Sequence, residues 1–206
     1  PLCTPARSSL LSGQYARTCT GMLECWFEPD AERIHFPNAT LPEILRDNGY
    51  ETALIGKWHM QPYPKLVGFD HSVYPKVNHL NVDQDYFDAD RNHFIAKGFV
   101  PEFELYQLNQ YLDKPHEKPF FLYYALHQPH VPRVPNPKFA GKSGLGPRGD
   151  VIMEMDHCVG KLTAFLEKEG FLDNTILLFT SDNGPVLDDG YMDDAERFNA
   201  MAQHRP

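Results

Sequence analysis

Phe120-Phe121-Leu122-Tyr123-Tyr124-Ala125-Leu126-His127-Gln128-Pro129-His130-Val131-Pro132 is the stretch on which the fold reading turns. Its first half is an apolar, aromatic run of strand length. Its second half cannot continue any regular element, because prolines at 129, 132, 135 and 137 remove backbone donors and fix φ. A buried strand therefore ends abruptly in a stiff loop carrying two histidines.

Working outward, the same grammar recurs twice. Residues 52–55, Thr-Ala-Leu-Ile, form a short strand stopped by Gly56, with Lys57 and His59 just beyond its end. Residues 175–180 form another apolar strand candidate, and Ser181-Asp182-Asn183-Gly184 leaves its end. Helices are expected between them. Thr4 is a fitting N-cap and Pro5 a fitting first helical residue, so Cys3 would stand just before a helix that Gly13 ends. Thr40 and Glu43 have capping-box spacing, with Gly49 as the stop. Residues 104–112 read as a weak helix. Residues 150–169 read as the clearest one, with Val151, Ile152, Met155, Val159, Leu162 and Leu166 on its apolar face. Residues 62–98 show no steady period and read as a long structured excursion with short helices. Strands alternating with helices predict an α/β chain with a largely parallel central sheet flanked by helices. Three polar clusters after strand ends fall where such sheets place their ligands.

The 206 residues suffice for one sizeable core, and no domain linker or internal repeat is visible. A net charge of -9 without a dense basic block argues against a nucleic-acid partner. No apolar run is long enough to span a bilayer, and no targeting signal is present in this chain. The cysteines at 3, 19, 25 and 158 form no C-x-x-C pair; unpaired thiols are expected, with a Cys19–Cys25 bridge as the alternative.

Each cluster has its own chemistry. Asp182 and Asn183 offer oxygen donors to a hard cation, although Asp-Asn-Gly is also a common turn. Lys57 and His59, two apart in an extended segment, can converge on one anion while Trp58 points away as a packing anchor. His127 and His130 can move a proton to a leaving group, or can serve only to fold their loop. Cys3 at a helix start is a reactive thiol, and Arg7 one turn later offers a fork for a tetrahedral oxyanion. Spacing alone leaves a phosphatase, a thiol enzyme and a passive anion cradle all open.

Cys3-Thr4-Pro5-Ala6-Arg7-Ser8-Ser9-Leu10-Leu11-Ser12-Gly13 resembles the signature of the sulfatase family, in which cysteine, proline two on and arginine four on direct oxidation of the cysteine to formylglycine. Gly49-Tyr50-Glu51-Thr52 leading to Gly56-Lys57-Trp58-His59 resembles its second signature. The stretches 124–130 and 179–184 resemble its histidine loop and metal strand. The resemblance implies an alkaline-phosphatase-like core, incomplete at both ends, with residues 1–206 forming part of a catalytic domain. It implies sulfate-ester hydrolysis, on aryl or carbohydrate sulfates, with formylglycine from Cys3 and calcium as cofactors and magnesium as second choice.

By the same resemblance Asp182, Asn183 and modified Cys3 would bind the metal. Arg7 would hold the nucleophile, Lys57 sulfate oxygens, and His59 the second hydroxyl of the hydrated aldehyde. His130 would bind sulfate or protonate the departing alcohol, and His127 would be a further substrate contact. One hydroxyl would attack sulfur, and deprotonation of the other would expel sulfate. The family pattern also has an acidic pair on a strand before the cysteine and a lysine beyond the metal strand. Gln14 stands where many members carry arginine. A piece lacking those segments is expected to be weak or inactive alone.

The implied partners are a sulfated small molecule or glycan and a formylglycine-generating maturation enzyme. The full-length protein would be periplasmic or extracellular. A phosphate- or phosphonate-ester hydrolase and a non-catalytic sulfated-glycan binding domain are the competing functions.

Overall fold

The structure, a computed structural model, describes residues 2–21, 36–78 and 80–186. Its elements in chain order are helices α1 (Cys3–Ser12), α2 (Ala16–Cys19) and α3 (Leu41–Asp47), strand β1 (Glu51–Gly56) and a 3-10 turn (Pro64–Val67). Strands β2 (His71–Pro75), β3 (Val82–Asp88) and β4 (His93–Phe99) follow, then helix α4 (Val100–Leu112), strand β5 (Phe120–Ala125) and helix α5 (Gly146–Lys168). No helix among the described residues is long and apolar enough to cross a membrane.

One five-stranded sheet runs in the order β4-β3-β2-β1-β5. β1 is parallel to both β2 and β5, whereas β2–β3 and β3–β4 are antiparallel. The sheet is therefore mixed. Its parallel half carries the expected βα units, and its antiparallel half is built from the segment expected to hold short helices. That segment hid its strands for a physical reason. In β3 only Gln84 and Tyr86 are buried, and the hairpin's other face is charged or half-exposed, so hydrophobic contrast is weak.

Strand β1 is the centre. Ala53, Leu54 and Ile55 are fully buried, because alternate side chains enter two different cores. Ala53 and Ile55 pack with Leu108, Leu112, Leu162 and Leu166 from α4 and α5. Leu54 packs on the other face with Leu11, Trp58, Phe69 and Tyr74. Trp58 is the packing anchor expected of it: its ring meets Phe69 edge-on at 5.9 Å and its Nε1 donates to the Pro62 carbonyl at 2.9 Å.

Local chemistry sets the start of α3. The Thr40–Glu43 capping box forms, with the Thr40 amide donating to Glu43 Oε2 at 2.8 Å. Helix α1 begins earlier than its sequence suggests, at Cys3, with Leu2 as N-cap. Thr4 is not the cap because its hydroxyl donates instead to the His59 carbonyl at 2.8 Å, a tertiary bond that outcompetes the local one. On α5 the buried stripe runs through Val151, Glu154, Cys158, Leu162 and Leu166, while Ile152 is 42% exposed. Residues 175–180 form no regular element and pair with no described strand, and Ile176 and Leu178 are exposed. Apolar β propensity alone does not make a strand without a hydrogen-bonding neighbour. Cys3, Cys19 and Cys158 are buried free thiols; Cys25 lies outside the described residues.

At Gly56, φ is 104°, and a Cβ there would lie 2.3 Å from the Ala125 carbonyl oxygen. The close approach lets the Lys57 amide donate to that oxygen at 2.7 Å and joins the ends of β1 and β5. Gly56→Ala in the full-length protein should therefore lower stability by about 3 kcal/mol or more. Urea denaturation monitored by tryptophan fluorescence measures this; an unchanged midpoint would show that the contact relaxes freely.

Candidate active site

The C-terminal ends of β1 and β5 face the first turn of α1, and the site grows from that junction. Arg7, almost wholly buried on α1, donates through NH1 to the Lys57 carbonyl at 2.7 Å and to the Tyr123 hydroxyl at 3.3 Å. Its NH2 reaches Asp182 Oδ2 at 3.4 Å. One guanidinium thus ties a helix, two strand ends and the Asp182 loop together, using the planar fork that lysine lacks.

Cys3 lies beside this anchor. Lys57 Nζ donates to Cys3 Sγ at 3.4 Å, and the His59 side chain acts on the same thiol. Burial opposes ionisation of the thiol, but the His59 side chain and the Lys57 charge outweigh it, and the Cys3 pKa falls below its ordinary 9.0. Asp182 pushes the other way. Lys57 is 2% exposed and its pKa is lowered, first by burial and also by Arg7, with Cys3 partly restoring it.

His59 adopts φ 49°, unusual for a residue with a Cβ. Bonds on both sides impose it: its amide donates to Asn78 Oδ1 at 3.0 Å and its carbonyl accepts from Thr4. Strain of this kind often accompanies functional sites, and here it turns the His59 ring toward Cys3.

The predicted residues separate into groups. Cys3, Arg7, Lys57, His59 and Asp182 form one connected cluster. His130 belongs to its rim: burial and the Lys57 charge lower its pKa, Asp182 acts on it too, and its Nδ1 bonds the Val131 carbonyl. Asn183 follows Asp182, with its side-chain amide on the Gly184 carbonyl. His127 stands apart from the cluster. It is 3% exposed, and its Nδ1 lies 3.0 Å from Glu104 Oε1.

Sequence reading missed Tyr123 and Asn78. Tyr123 looks like any aromatic strand residue, and only the sheet brings its hydroxyl under Arg7. Asn78 is distant in sequence from the backbone it holds.

Asp182 and Asn183 are hard oxygen donors, as a calcium ion requires. Among the described residues, no group of three His, Cys, Asp or Glu side chains gathers to complete a cage. The two supply oxygen donors for part of such a set, and Asp182 Oδ2 is already engaged by Arg7.

Cations and a buried thiol thus lie together at the C-terminal edge of an α/β sheet, where such folds place their ligands. The sulfatase family model matches residues 1–205, and the chain belongs to that family. It is 30% identical to an N-acetylgalactosamine-6-O-sulfatase of Bacteroides thetaiotaomicron, over 98% of this chain and 53% of the relative. It is 31% identical to human arylsulfatase A, over 89% of this chain and 43% of the relative. The chain thus spans about half the length of these relatives. A solved Bacteroides thetaiotaomicron structure, described with the metabolism of multiple glycosaminoglycans, superposes with TM-score 0.74 at 27% identity. That match covers all of this chain and 57% of the other. The structure of Ps i-CgsB superposes with TM-score 0.81 at 22% identity, covering 92% and 50%. It shares the alkaline-phosphatase-like fold.

The Cys3 environment is directly testable in unmodified protein. The thiolate should form at lower pH than an ordinary cysteine, and Lys57→Met should move its midpoint upward. Thiolate ultraviolet absorbance, taken as the difference from a Cys3→Ala protein, reads both; an unmoved midpoint in Lys57→Met would break the assigned cause.

Proposed function

We propose that this chain is the nucleophile-bearing part of a sulfate-ester hydrolase that acts after Cys3 is oxidised to formylglycine. The observation that carries the reading is the position 3 side chain, held between Lys57 Nζ and His59 with Arg7 anchored beside them. Family membership supplies the meaning of Cys3-Thr4-Pro5-Ala6-Arg7 as an oxidation signature. In the unmodified protein the Cys3 sulfur marks the place of the oxygen that the mature residue would present.

Each residue then has a task that follows from its surroundings. Lys57 and Arg7 put positive charge beside an incoming sulfate, in a site dry enough for that charge to count. Lys57 can bind a sulfuryl oxygen, while Arg7, whose two terminal nitrogens are taken up by the Lys57 carbonyl, Tyr123 and Asp182, chiefly fixes geometry. His59, pinned by Asn78 and Thr4, accepts or returns a proton at position 3. His130, on the proline-stiffened loop, delivers a proton to the departing alcohol. Asp182 and Asn183 would hold calcium, which would neutralise charge on the nucleophile and sulfuryl oxygens.

The relatives' names include N-acetylgalactosamine-6-sulfatases and arylsulfatase A. We therefore take a sulfated carbohydrate as the natural substrate class and aryl sulfates as assay substrates. The full-length protein would work outside the cytoplasm, with a formylglycine-generating enzyme as its maturation partner.

Full-length protein from a maturation-competent host should turn over an aryl sulfate faster than the matched aryl phosphate, with an aldehyde or its hydrate at position 3 by peptide mass analysis. Cys3→Ala should cost on the order of 10³-fold or more in kcat while the protein still folds. Preference for the phosphate ester would reassign the chain to phosphoryl transfer. Tight binding of a sulfated glycan with unmodified Cys3 and no turnover would make it a binding domain.

Metal dependence gives a separate check. Chelation should abolish turnover and calcium should restore it more fully than magnesium; rescue by zinc alone would contradict the oxygen-donor assignment.

A further inference from the structure

Glu104 is a carboxylate where the helix periodicity calls for an apolar side chain. On α4 the buried residues Val100, Leu108, Tyr111 and Leu112 mark the core-facing stripe, and Glu104 lies on it with no exposed surface. Burying a carboxylate is costly unless partners compensate it. Its two polar contacts, both to Oε1, come from different elements, a third leaves it room, and Oε2 has no hydrogen-bond partner. The Tyr86 hydroxyl, on β3, donates to Glu104 Oε1 at 2.9 Å. His127 Nδ1, on the loop after β5, is 3.0 Å from the same oxygen, at ion-pair distance though without the alignment of a hydrogen bond. Gly56, at the end of β1, leaves the space that Glu104 uses: a Cβ there would lie 3.3 Å from Oε1.

These contacts reach both catalytic loops from below. Gly56 immediately precedes Lys57, and the Lys57 amide bonds Ala125, two residues before His127. His127 and His130 are joined by a tight turn, the His130 amide donating to the His127 carbonyl at 3.0 Å. A displaced His127 would carry His130 with it. Tyr86 remains a phenol donor, since burial and the nearby Glu104 charge raise its pKa well above the ordinary value.

We propose that Glu104 is a positioning residue that, through His127, fixes the loop presenting His130 to the leaving group. His127 is then a structural link, not a substrate contact. The inference rests on the sulfatase reading for its kinetic consequence, but its structural content does not need that reading.

The test uses the full-length, matured protein. Glu104→Gln keeps shape and an acceptor for Tyr86 but removes the charge facing His127. It should lower kcat on an aryl sulfate by about 10- to 100-fold. KM should stay within about twofold, with unchanged formylglycine content and folded fraction, since only leaving-group protonation is misaligned. His127→Gln should behave alike, and the double variant should lose little beyond either single one. Unchanged kcat per folded enzyme or multiplicative losses in the double variant would overturn the proposal.

Absence of turnover in wild-type protein would strike the functional reading instead. In that case nitrogen-edited NMR of the His127 ring and amide exchange at 127, 128, 130 and 131 decide. Both should change in Glu104→Gln, and identical spectra and exchange would overturn the positioning role. If Glu104→Gln does not fold, Tyr86→Phe removes one Glu104 contact and should move the same readouts less far in the same direction; no movement would overturn it.

Discussion

The buried guanidinium of Arg7 is the constraint on which the site depends. Its two terminal nitrogens reach the Lys57 carbonyl, the Tyr123 hydroxyl and Asp182, which come from the ends of β1 and β5 and from the loop after residue 180. Because each partner lies far away in sequence, the bonds form only when the sheet is assembled. Removing the charge would leave a buried carbonyl and a carboxylate without their shared donor, a penalty larger than the net value of any one bond. The cluster around Cys3 therefore takes part of its geometry from Arg7, and the rest from the Asn78 and Thr4 bonds that hold His59.

Around that anchor the protein keeps two kinds of polar group. Those facing the Cys3 side chain, Lys57 and His59, alter its chemistry directly and lower its pKa against the effect of burial. Those behind the loops, Glu104 and Glu154, occupy helix positions that would otherwise be apolar. Glu154 accepts from the Asn136 amide at 3.4 Å, and Asp150 accepts from the Gly141 and Ser143 amides, so α5 clamps the long segment after the histidine loop. Burial raises the Glu154 pKa. Carboxylates inside helix stripes thus hold irregular backbone that has no ladder of its own.

The same economy explains the mixed sheet. Parallel strands β1, β2 and β5 put their C-terminal ends together, where the chemistry lies. The antiparallel hairpin β3–β4 does not carry a cluster residue, but it supplies Tyr86 beneath Glu104 and, at its start, Asn81, whose side chain donates to the Pro132 carbonyl at 2.6 Å. A segment of weak hydrophobic period thereby supports the loop with the strongest chemical signal.

By itself the sequence determined the α/β class, a strand read over 120–126 and found at 120–125, the Thr40–Glu43 cap, the Trp58 anchor and the family. Those features depend on local period, turn chemistry or short motifs, which are written in neighbouring residues. It also picked out Cys3, Arg7, Lys57, His59 and Asp182, because motifs mark residue types that an anion site needs. Only the tertiary structure decided that Thr4 bonds His59 in place of capping α1, and that β3 and β4 are strands. It alone separated His127 from the cluster, brought Tyr123 and Asn78 to it, and left 175–180 without a described partner. In each case the deciding contact spans many residues, and whether a polar side chain caps, pairs or is buried depends on what the folded chain sets opposite it.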